Sequence, residues 1–172
     1  AAFTLKLLNN FFQLKLNNDE LKNYANQIGS DCTFFIDNVP AFASGRGNIL
    51  EEINLVLRGY YILIVKPDVH ISTADAYNNV KPGRPEKSIK EIIEMPITEW
   101  SRNFGMKNDF EKFVFEKYPV IAEIKNKIYR QGAIYASMSG SGSAVFGIFS
   151  PGNSGIDKDV FGDCIVWEGR LE

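Results

Sequence analysis

The sequence predicts an α+β fold, because segments with helical and strand-like periodicity are mixed along the chain. Two helical patterns occupy residues 1–29. A wholly apolar run of strand length, Tyr60–Val65, opens the second part. Two strand-like segments flank a Gly/Ser-rich stretch, residues 137–143. From Tyr60 onward the order is strand, helices, strand, strand, short helix and strand, which resembles a split βαβ layout.

The first part is expected to begin with two helices. Residues 1–16 place apolar side chains at mostly helical spacing, which predicts an amphipathic helix that begins at or before residue 1. A second helix is predicted from Asn18, with Asn17 or Asn18 as its N-cap and Gly29 at its end.

A strand pair is expected after these helices. Residues 39–47 alternate and end in glycines, which predicts a strand running into a tight turn, and residues 49–57 alternate imperfectly as another strand. Arg58-Gly59 then marks the expected boundary between the two parts of the chain.

The second part is expected to hold several helices after its first strand. Ser72 or Thr73 can cap a short helix that runs through Val80. A loop follows, with Pro82, Gly83 and Pro85. The remaining segments are predicted as helices at 88–94, 108–118, 119–130 and 156–161 and as strands at 132–136, 144–149 and 164–167.

Composition excludes several classes of protein. The 172 residues carry 19 basic and 21 acidic side chains, a formal charge of −2, so no basic face for nucleic acid is expected. No apolar stretch reaches membrane-spanning length. Cys32 and Cys164 lie far apart without zinc spacing, which favours two reduced thiols and a cytoplasmic location. The sequence makes no prediction of oligomeric state.

Metal and serine-hydrolase chemistry receive no support from the sequence. His70 is the only histidine, and no acidic residue lies beside it at ligand spacing. A G-x-S-x-G elbow is absent, so a Ser-His-Asp triad is not expected. His70 is therefore interpreted as a structural or surface residue.

The Gly/Ser stretch is the main functional clue. Ser139, Ser141 and Ser143 alternate with Gly140 and Gly142. Glycines let the backbone approach a ligand closely, and successive amides can form a concavity that attracts anions. A flexible loop is the alternative, although two residues suffice to reverse a chain between strands.

Asp31 is a second candidate. It follows Gly29 and precedes the apolar residues 34–36, so its carboxylate stands at the edge of a core. Such a group must cap backbone amides, pair with a cation or take part in chemistry. Its position alone favours an N-cap.

Five segments together carry a family resemblance. They are Gly29–Phe35, Ala41–Leu50, Tyr60–Pro67, Ser72–Tyr77 and Ser137–Phe146, in that order. The chain thereby resembles the family of 4-diphosphocytidyl-2-C-methyl-D-erythritol kinases, within the galactokinase, homoserine kinase, mevalonate kinase and phosphomevalonate kinase superfamily. The resemblance reaches to about residue 170, and the Gly/Ser stretch is its superfamily-wide element.

The resemblance implies an ATP-dependent kinase, with Mg²⁺ bound along with the nucleotide, that phosphorylates the 2-hydroxyl of a cytidine diphosphate-linked sugar alcohol in non-mevalonate isoprenoid synthesis. It implies that Asp31 is the catalytic base, that Tyr77 stacks on the cytosine and that Thr73 hydrogen-bonds the substrate. A loop beside the phosphates is assigned to Ser139, Gly140, Ser141 and Gly142. No separate protein metal site is implied.

The same resemblance implies two domains. Residues 1–58 correspond to the remainder of an S5-like N-terminal domain, and residues 59–172 to a ferredoxin-like, substrate-binding C-terminal domain, with the site in a cleft between them. The family's ATP phosphate loop precedes the position of Ala1-Ala2, so this chain alone is expected to be inactive. Cys32-Thr33 also replaces the family's common Val-Pro.

Two alternatives stay open at this stage. Another small-molecule kinase of the superfamily, acting on mevalonate, homoserine or a sugar, would share the Gly/Ser stretch. A non-catalytic module that has lost its nucleotide loop would keep the fold without the activity.

Overall fold

The computed structural model describes residues 1–172 except 82, 84–86, 102–104 and 154. The predicted loop residues Pro82 and Pro85 therefore lie outside the described part. The chain divides into two compact units, Ala1–Leu55 and Val56–Glu172, each considered by itself. Both units combine helices with antiparallel strands, which confirms the α+β class. The assignment of the two units to particular kinase domains remains a prediction.

The first unit packs short helices beside a hairpin. Its helices are α1 (Ala2–Phe11), α2 (Asn18–Ile28), a 3₁₀ turn (Ser30–Cys32) and α3 (Phe34–Asp37), and its strands are β1 (Ala41–Ser44) and β2 (Ile49–Glu52).

Helix α1 is shorter than predicted from the apolar spacing of residues 1–16. It ends at Phe11 because Asn9 ties the chain back on itself. The Asn9 amide donates to the Leu16 carbonyl, and the Leu16 amide donates to Asn9 Oδ1, both at 3.0 Å. Gln13 adopts a positive φ of 51°, which a right-handed α-helix cannot accommodate.

Helix α2 begins where its sequence predicts. Asn17 accepts from the Glu20 amide, and the Glu20 carboxylate accepts from the Asn17 amide, forming a capping box. The helix ends at Gly29, as predicted. A small core beneath it is formed by Ala2, Leu21, Ala25 and Ile36.

The hairpin of the first unit is also shorter than predicted for residues 49–57. Strands β1 and β2 pair antiparallel from Ala41 with Glu52 to Ser44 with Ile49. Beyond this register the Ile53 amide still donates to the Pro40 carbonyl at 3.0 Å. Pro40 has no amide hydrogen to return, so the ladder stops there.

The second unit places helices against a larger sheet. Its helices are α4 (Thr73–Asn79), α5 (Ile89–Ile93), α6 (Glu111–Lys117), α7 (Pro119–Arg130) and the 3₁₀ turns Ile97–Glu99 and Asp159–Phe161. Its strands are β3 (Tyr61–Lys66), β4 (Tyr135–Met138), β5 (Val145–Phe149) and β6 (Ile165–Arg170).

The described strands of this unit form a four-stranded sheet in the order β4-β5-β3-β6. Every neighbouring pair is antiparallel. Strands β3 and β4 consequently run in the same direction with β5 between them. This is the predicted split βαβ arrangement.

Helix α7 covers the sheet with an apolar stripe. Ile121, Ile124 and Ile128 recur at helical spacing and are buried. They pack in one cluster with Leu63 and Phe149 from the central strands. Pro119 stands at the first turn of α7, where its missing amide hydrogen costs nothing.

Helix α6 begins later than the predicted residue 108. Asn108 Oδ1 accepts a hydrogen bond from the Phe110 amide at 3.0 Å, which fixes a turn ahead of the helix. Helical hydrogen bonding therefore begins at Glu111. Among the described residues, no helix is both long enough and apolar enough to cross a membrane.

Candidate functional site

The second unit contains a cavity of about 430 Å³ beside the Gly/Ser loop, residues 137–143. Polar and apolar groups from three segments meet in it. The lining residues are Lys66, Asp68, Val69, His70, Ile71, Thr73, Ser141, Gly142 and Ser143. The structure thus brings Thr73 together with the predicted phosphate-region loop. His70 is exposed at this cavity, and Lys66, which no sequence pattern had singled out, also lines it.

Helix α4 positions two of the predicted residues. Ser72 caps it by accepting from the Asp75 amide at 3.3 Å. Lys117 of α6 contacts the Asp75 carboxylate at 3.3 Å, and this hydrogen bond raises the pKa of the exposed Lys117. Thr73 opens the helix, and Tyr77 follows about one turn later.

A hydrogen bond joins α4 to the Gly/Ser loop. Thr73 Oγ1 and Ser141 Oγ lie 3.1 Å apart, and either hydroxyl can donate. Both hydroxyls can turn toward a bound oxygen instead, because each rotates freely about its C–O bond. The pair is therefore suited to a polar or anionic ligand group.

The loop exposes backbone donors. The Ser139 amide donates to the Ala144 carbonyl at 2.8 Å, and the Gly142 amide donates to the Ser139 carbonyl at 3.0 Å. Within the described residues, neither the Gly140 amide nor the Ser141 amide donates a hydrogen bond. Gly140 has a φ of 55° and Gly142 a φ of 94°. Free amides on such a turn attract anions.

Ser143 closes the loop with a buried hydroxyl. The residue is 5% exposed, and its Oγ has no hydrogen-bond partner among the described residues. A buried polar atom without a partner costs free energy. The loop therefore has polar capacity that its own fold does not use.

Tyr77 presents a free aromatic face. The residue is 64% exposed. Its ring makes an edge contact with Phe110 at a centroid distance of 4.9 Å and an interplanar angle of 68°. Such a contact supports the ring from one side and leaves it open for stacking.

Asp31 lies in the first unit, within the Ser30–Cys32 turn. Its side chain is exposed, and α3 begins at Phe34 without a side-chain cap, so Asp31 is not the N-cap that its position favoured. Within the described residues of its unit, nothing hydrogen-bonds this carboxylate. A Cβ on Gly47 would lie 3.0 Å from Asp31 Oδ1. The glycine-rich turn therefore leaves room for the carboxylate.

Three residues behind the loop were missed from the sequence. Asn108, Glu111 and Lys125 hydrogen-bond to each other or to the loop backbone. One signal was available, because Glu111 places a carboxylate at helical spacing with Val114, Phe115 and Tyr118. Apolar neighbours at that spacing indicate a buried acid in need of a partner.

Metal ligands are sparse in the described part of the chain. No group of three histidine, cysteine, aspartate or glutamate side chains there could hold an ion. The hydroxyls of the Gly/Ser loop are hard oxygen donors, the type of ligand that Mg²⁺ prefers.

Comparison with known proteins identifies similar sequences. Residues 88–158 match the family described as GHMP kinases C terminal. A 4-diphosphocytidyl-2-C-methyl-D-erythritol kinase of Parabacteroides distasonis is 51% identical over 171 residues, covering 99% of this chain and 62% of the relative. The enzyme of the same name from Bacteroides thetaiotaomicron is 53% identical with the same coverage. The chain thus spans 62% of the length of these relatives.

Solved structures share the fold. A crystal structure of 4-(cytidine 5'-diphospho)-2C-methyl-D-erythritol kinase superposes with a TM-score of 0.76 at 24% identity, covering 98% of this chain and 62% of the other. Homoserine kinase from Cytophaga hutchinsonii gives a TM-score of 0.59 at 15% identity, covering 95% of this chain and 61% of the other.

Proposed function

We propose that the complete protein is a 4-diphosphocytidyl-2-C-methyl-D-erythritol kinase, because nearly the whole of this chain is similar to enzymes of that name and spans 62% of their length. It transfers a phosphoryl group from ATP to the 2-hydroxyl of 4-diphosphocytidyl-2-C-methyl-D-erythritol, a step of non-mevalonate isoprenoid synthesis. The identity of 51% along nearly the whole chain is the observation that carries the proposal.

Asp31 is the proposed general base. Phosphoryl transfer requires the substrate hydroxyl to be oriented and its proton to be accepted. An exposed carboxylate with no hydrogen-bond partner among the described residues of its unit is free to accept that proton. The close approach of Gly47 supports this role, since no side chain at that position crowds the carboxylate.

Tyr77 and Thr73 are the proposed substrate contacts. The exposed ring of Tyr77 offers a π-face to the cytosine, while its edge contact with Phe110 limits its motion. Thr73 offers a hydroxyl near the diphosphate of the substrate. Its contact with Ser141 supports a shared polar surface between the substrate contacts and the loop.

The loop residues Ser139, Gly140, Ser141 and Gly142 are proposed to stabilise the phosphate region. The unbonded amides of Gly140 and Ser141 support this role, because oriented amides stabilise charge that develops during transfer. ATP is the proposed phosphoryl donor. Mg²⁺, bound chiefly by the phosphates of ATP, would neutralise negative charge on the phosphoryl group that is transferred.

The remaining assignments follow the same family. Residues 1–58 are proposed to form the C-terminal part of the kinase N-terminal domain, and residues 59–172 the substrate-binding domain. We propose a cytoplasmic location, which the unpaired Cys32 and Cys164 support. The near-balanced charge supports a small-molecule partner and no nucleic acid.

A coupled ADP-release assay tests the proposal. The complete gene product is mixed with ATP, Mg²⁺ and either the cytidine diphosphate-linked substrate, mevalonate, homoserine or galactose. We expect turnover with the cytidine compound only. Turnover with one of the others would move the protein to another branch of the superfamily, and none with any of them would favour a non-catalytic module. The 172-residue chain alone is expected to give no ADP.

A further inference from the structure

A polar cluster lies behind the Gly/Ser loop, formed by Asn108, Glu111 and Lys125. None of these residues takes part in the chemistry proposed above. We propose that they are positioning residues that hold the loop in the conformation that presents its free amides. The inference deepens the proposed function, because it rests on the loop's place beside the transferred phosphate.

Glu111 holds the point where β4 passes into the loop. Its Oε1 accepts from the Met138 amide at 2.8 Å and from Ser137 Oγ at 3.2 Å. Glu111 is 8% exposed, so water does not compete for these bonds. A carboxylate that accepts from a backbone amide forms a charge-assisted bond, which is stronger than a neutral one.

Lys125 fixes the Glu111 carboxylate in turn. Its ammonium donates to both carboxylate oxygens, at 2.9 and 2.7 Å. The two side chains are only 18% and 10% exposed. Because a buried carboxylate is costly without a cation, the pair must stay together. Lys125 belongs to α7, so the ion pair links the position of the loop to the helix that packs on the sheet.

Asn108 holds the loop itself. Its Nδ2 donates to the Met138 carbonyl at 2.8 Å and to the Gly140 carbonyl at 2.7 Å. Its Oδ1 accepts from the Phe110 amide at 3.0 Å and so anchors the side chain to the start of α6. The Gly140 carbonyl and the Ser141 amide belong to the same planar peptide group. The hydrogen bond that holds the carbonyl therefore also fixes the direction of the Ser141 N–H.

The convergence of these contacts separates a positioning role from core stabilisation. A buried ion pair that only stabilised the core would have no need to bond the loop backbone. Here the bonds end on Ser137, Met138 and Gly140, which lie one to four residues before the free Ser141 amide. The loop conformation, and not the packing of α6 on α7 alone, should therefore depend on them.

Two substitutions test the proposal in the complete gene product. Asn108→Asp keeps the oxygen that caps Phe110 but replaces the donor with an oxygen that repels both loop carbonyls. Glu111→Gln keeps the side-chain shape but weakens the bonds to Met138 and Lys125. Glu123→Gln is the matched control, because Glu123 is 62% exposed and pairs only with Lys127, at 3.6 Å, among the described residues.

Hydrogen exchange and kinetics are both measured, at a temperature where every variant is folded. We expect the hydrogen-bonded amides of Met138, Ser139 and Gly142 to exchange about tenfold faster in Asn108→Asp and Glu111→Gln, a change of about 1.4 kcal/mol, and to be unchanged in Glu123→Gln. We also expect kcat and kcat/KM to fall together by about tenfold, with KM for the cytidine substrate unchanged.

The two readouts distinguish the possible failures. Unchanged loop exchange in both variants would overturn the positioning role, and so would faster exchange with unaltered kcat. A wild-type protein that phosphorylates none of the substrate would defeat the proposed function, while the exchange result would still decide whether the cluster holds the loop. Should Glu111→Gln fail to fold, Asn108→Asp decides the test, since it leaves the buried ion pair intact.

Discussion

Asp31 illustrates how a residue's surroundings change its interpretation. Its position after Gly29 favoured a helix cap, yet α3 begins without a side-chain cap. The carboxylate instead faces the turn at Gly47, where a Cβ would come within 3.0 Å of Oδ1. A carboxylate that is neither a cap nor paired within the described part of its unit is available for chemistry.

Asp31→Asn tests that role in the complete gene product. Asparagine keeps the shape but cannot accept a proton from the substrate hydroxyl at neutral pH. We expect kcat to fall by about 10²-fold or more, with KM for ATP nearly unchanged. Steady-state ADP release measures both constants. Asp19→Asn, a change at an exposed carboxylate on α2, serves as the control. An unaltered kcat in Asp31→Asn would refute the role of Asp31 as the general base.

Tyr77 should contribute to substrate affinity through its ring. Removing a stacked base partner costs about 1–3 kcal/mol, so Tyr77→Ala is expected to raise KM for the cytidine substrate by tenfold or more. Tyr77→Phe keeps the ring and should stay close to wild type. Tyr24→Ala removes another exposed tyrosine, from α2, and should leave KM unchanged. An equal effect of Tyr77→Ala and Tyr24→Ala would speak against stacking.

Tyr135 makes stability depend on pH in the alkaline range. Burial raises its pKa to about 12, and its hydroxyl donates to the Met106 carbonyl at 3.1 Å. Below pH 10 the tyrosine is protonated in both the folded and unfolded states. Between pH 10 and 12 only the unfolded state ionises, so the free energy of unfolding falls as pH rises, by about 1.4 kcal/mol per unit.

Urea unfolding at several pH values checks this expectation. The lysines titrate in the same range, and the comparison of wild type with Tyr135→Phe removes their contribution. We expect the variant to be less stable at pH 8, because the Met106 carbonyl loses its donor, by about 1 kcal/mol. That deficit should shrink as pH rises above 10 and reverse before pH 12, because the wild type loses more stability over this range than the hydrogen bond supplies. A constant difference would show that Tyr135 ionises normally in the folded protein.

At the scale of elements, helix starts marked by a side-chain cap or a proline were the easiest features to predict, whereas the uncapped start of α6 was placed too early. The caps at Asn17 and Ser72 and the proline at the start of α7 act within a few residues, so they leave a local pattern. Ends were harder. The stop of α1 depends on Asn9 bonding seven residues ahead, and the stop of β2 depends on Pro40, the residue just before the partner strand.

The residues of the candidate site also divide into those with a local sequence signal and those without one. Ser139–Gly142 were predicted from their glycine spacing, which is a local signal, whereas Thr73 was assigned to the site only through the family resemblance. Asn108 and Glu111 were missed, because they contact the loop across 26 to 32 residues of sequence. No periodic pattern records a hydrogen bond over such a separation, and only the folded chain brings those groups together.

The loop between β4 and β5 tolerates side chains unequally. A Cβ on Gly140 would meet nothing within 4 Å. A Cβ on Gly142 would lie 2.6 Å from Ile71 Cδ1 and 2.8 Å from Met138 Sδ. Both glycines have positive φ, so both substitutions carry a backbone cost of about 1–2 kcal/mol. Only Gly142→Ala adds a steric cost.

Thermal or urea unfolding of the two alanine variants compares these costs. We expect Gly142→Ala to be less stable than Gly140→Ala by about 1–3 kcal/mol, the usual penalty of overpacking. Gly152→Ala, at another open glycine with positive φ, provides a second reference without steric conflict. Equal stability of the variants at Gly140 and Gly142 would mean that Ile71 and Met138 move aside without cost.

At the scale of the whole chain, α1 leaves an apolar face exposed. Phe3 and Phe11 are 76% and 75% exposed, and Leu7 between them is 64% exposed. They recur at intervals of four, on one side of the helix. Phe12 adds to this face with 62% exposure. Monomeric proteins rarely present an apolar patch of this kind to water.

The 172-residue chain should therefore bind a hydrophobic dye and associate in a concentration-dependent manner. Replacing Phe3 and Phe11 by glutamate removes the two most exposed rings of the helix, which makes no buried contact through them. We expect the double variant to lose most dye fluorescence and to sediment as a smaller species, with its far-ultraviolet circular dichroism unchanged. Val120→Glu, at a 43% exposed position on α7, is the control for added charge. If the wild-type chain is monomeric and does not increase the fluorescence of the dye, the exposed face of α1 does not drive association. The apolar patch must then be covered within the chain itself.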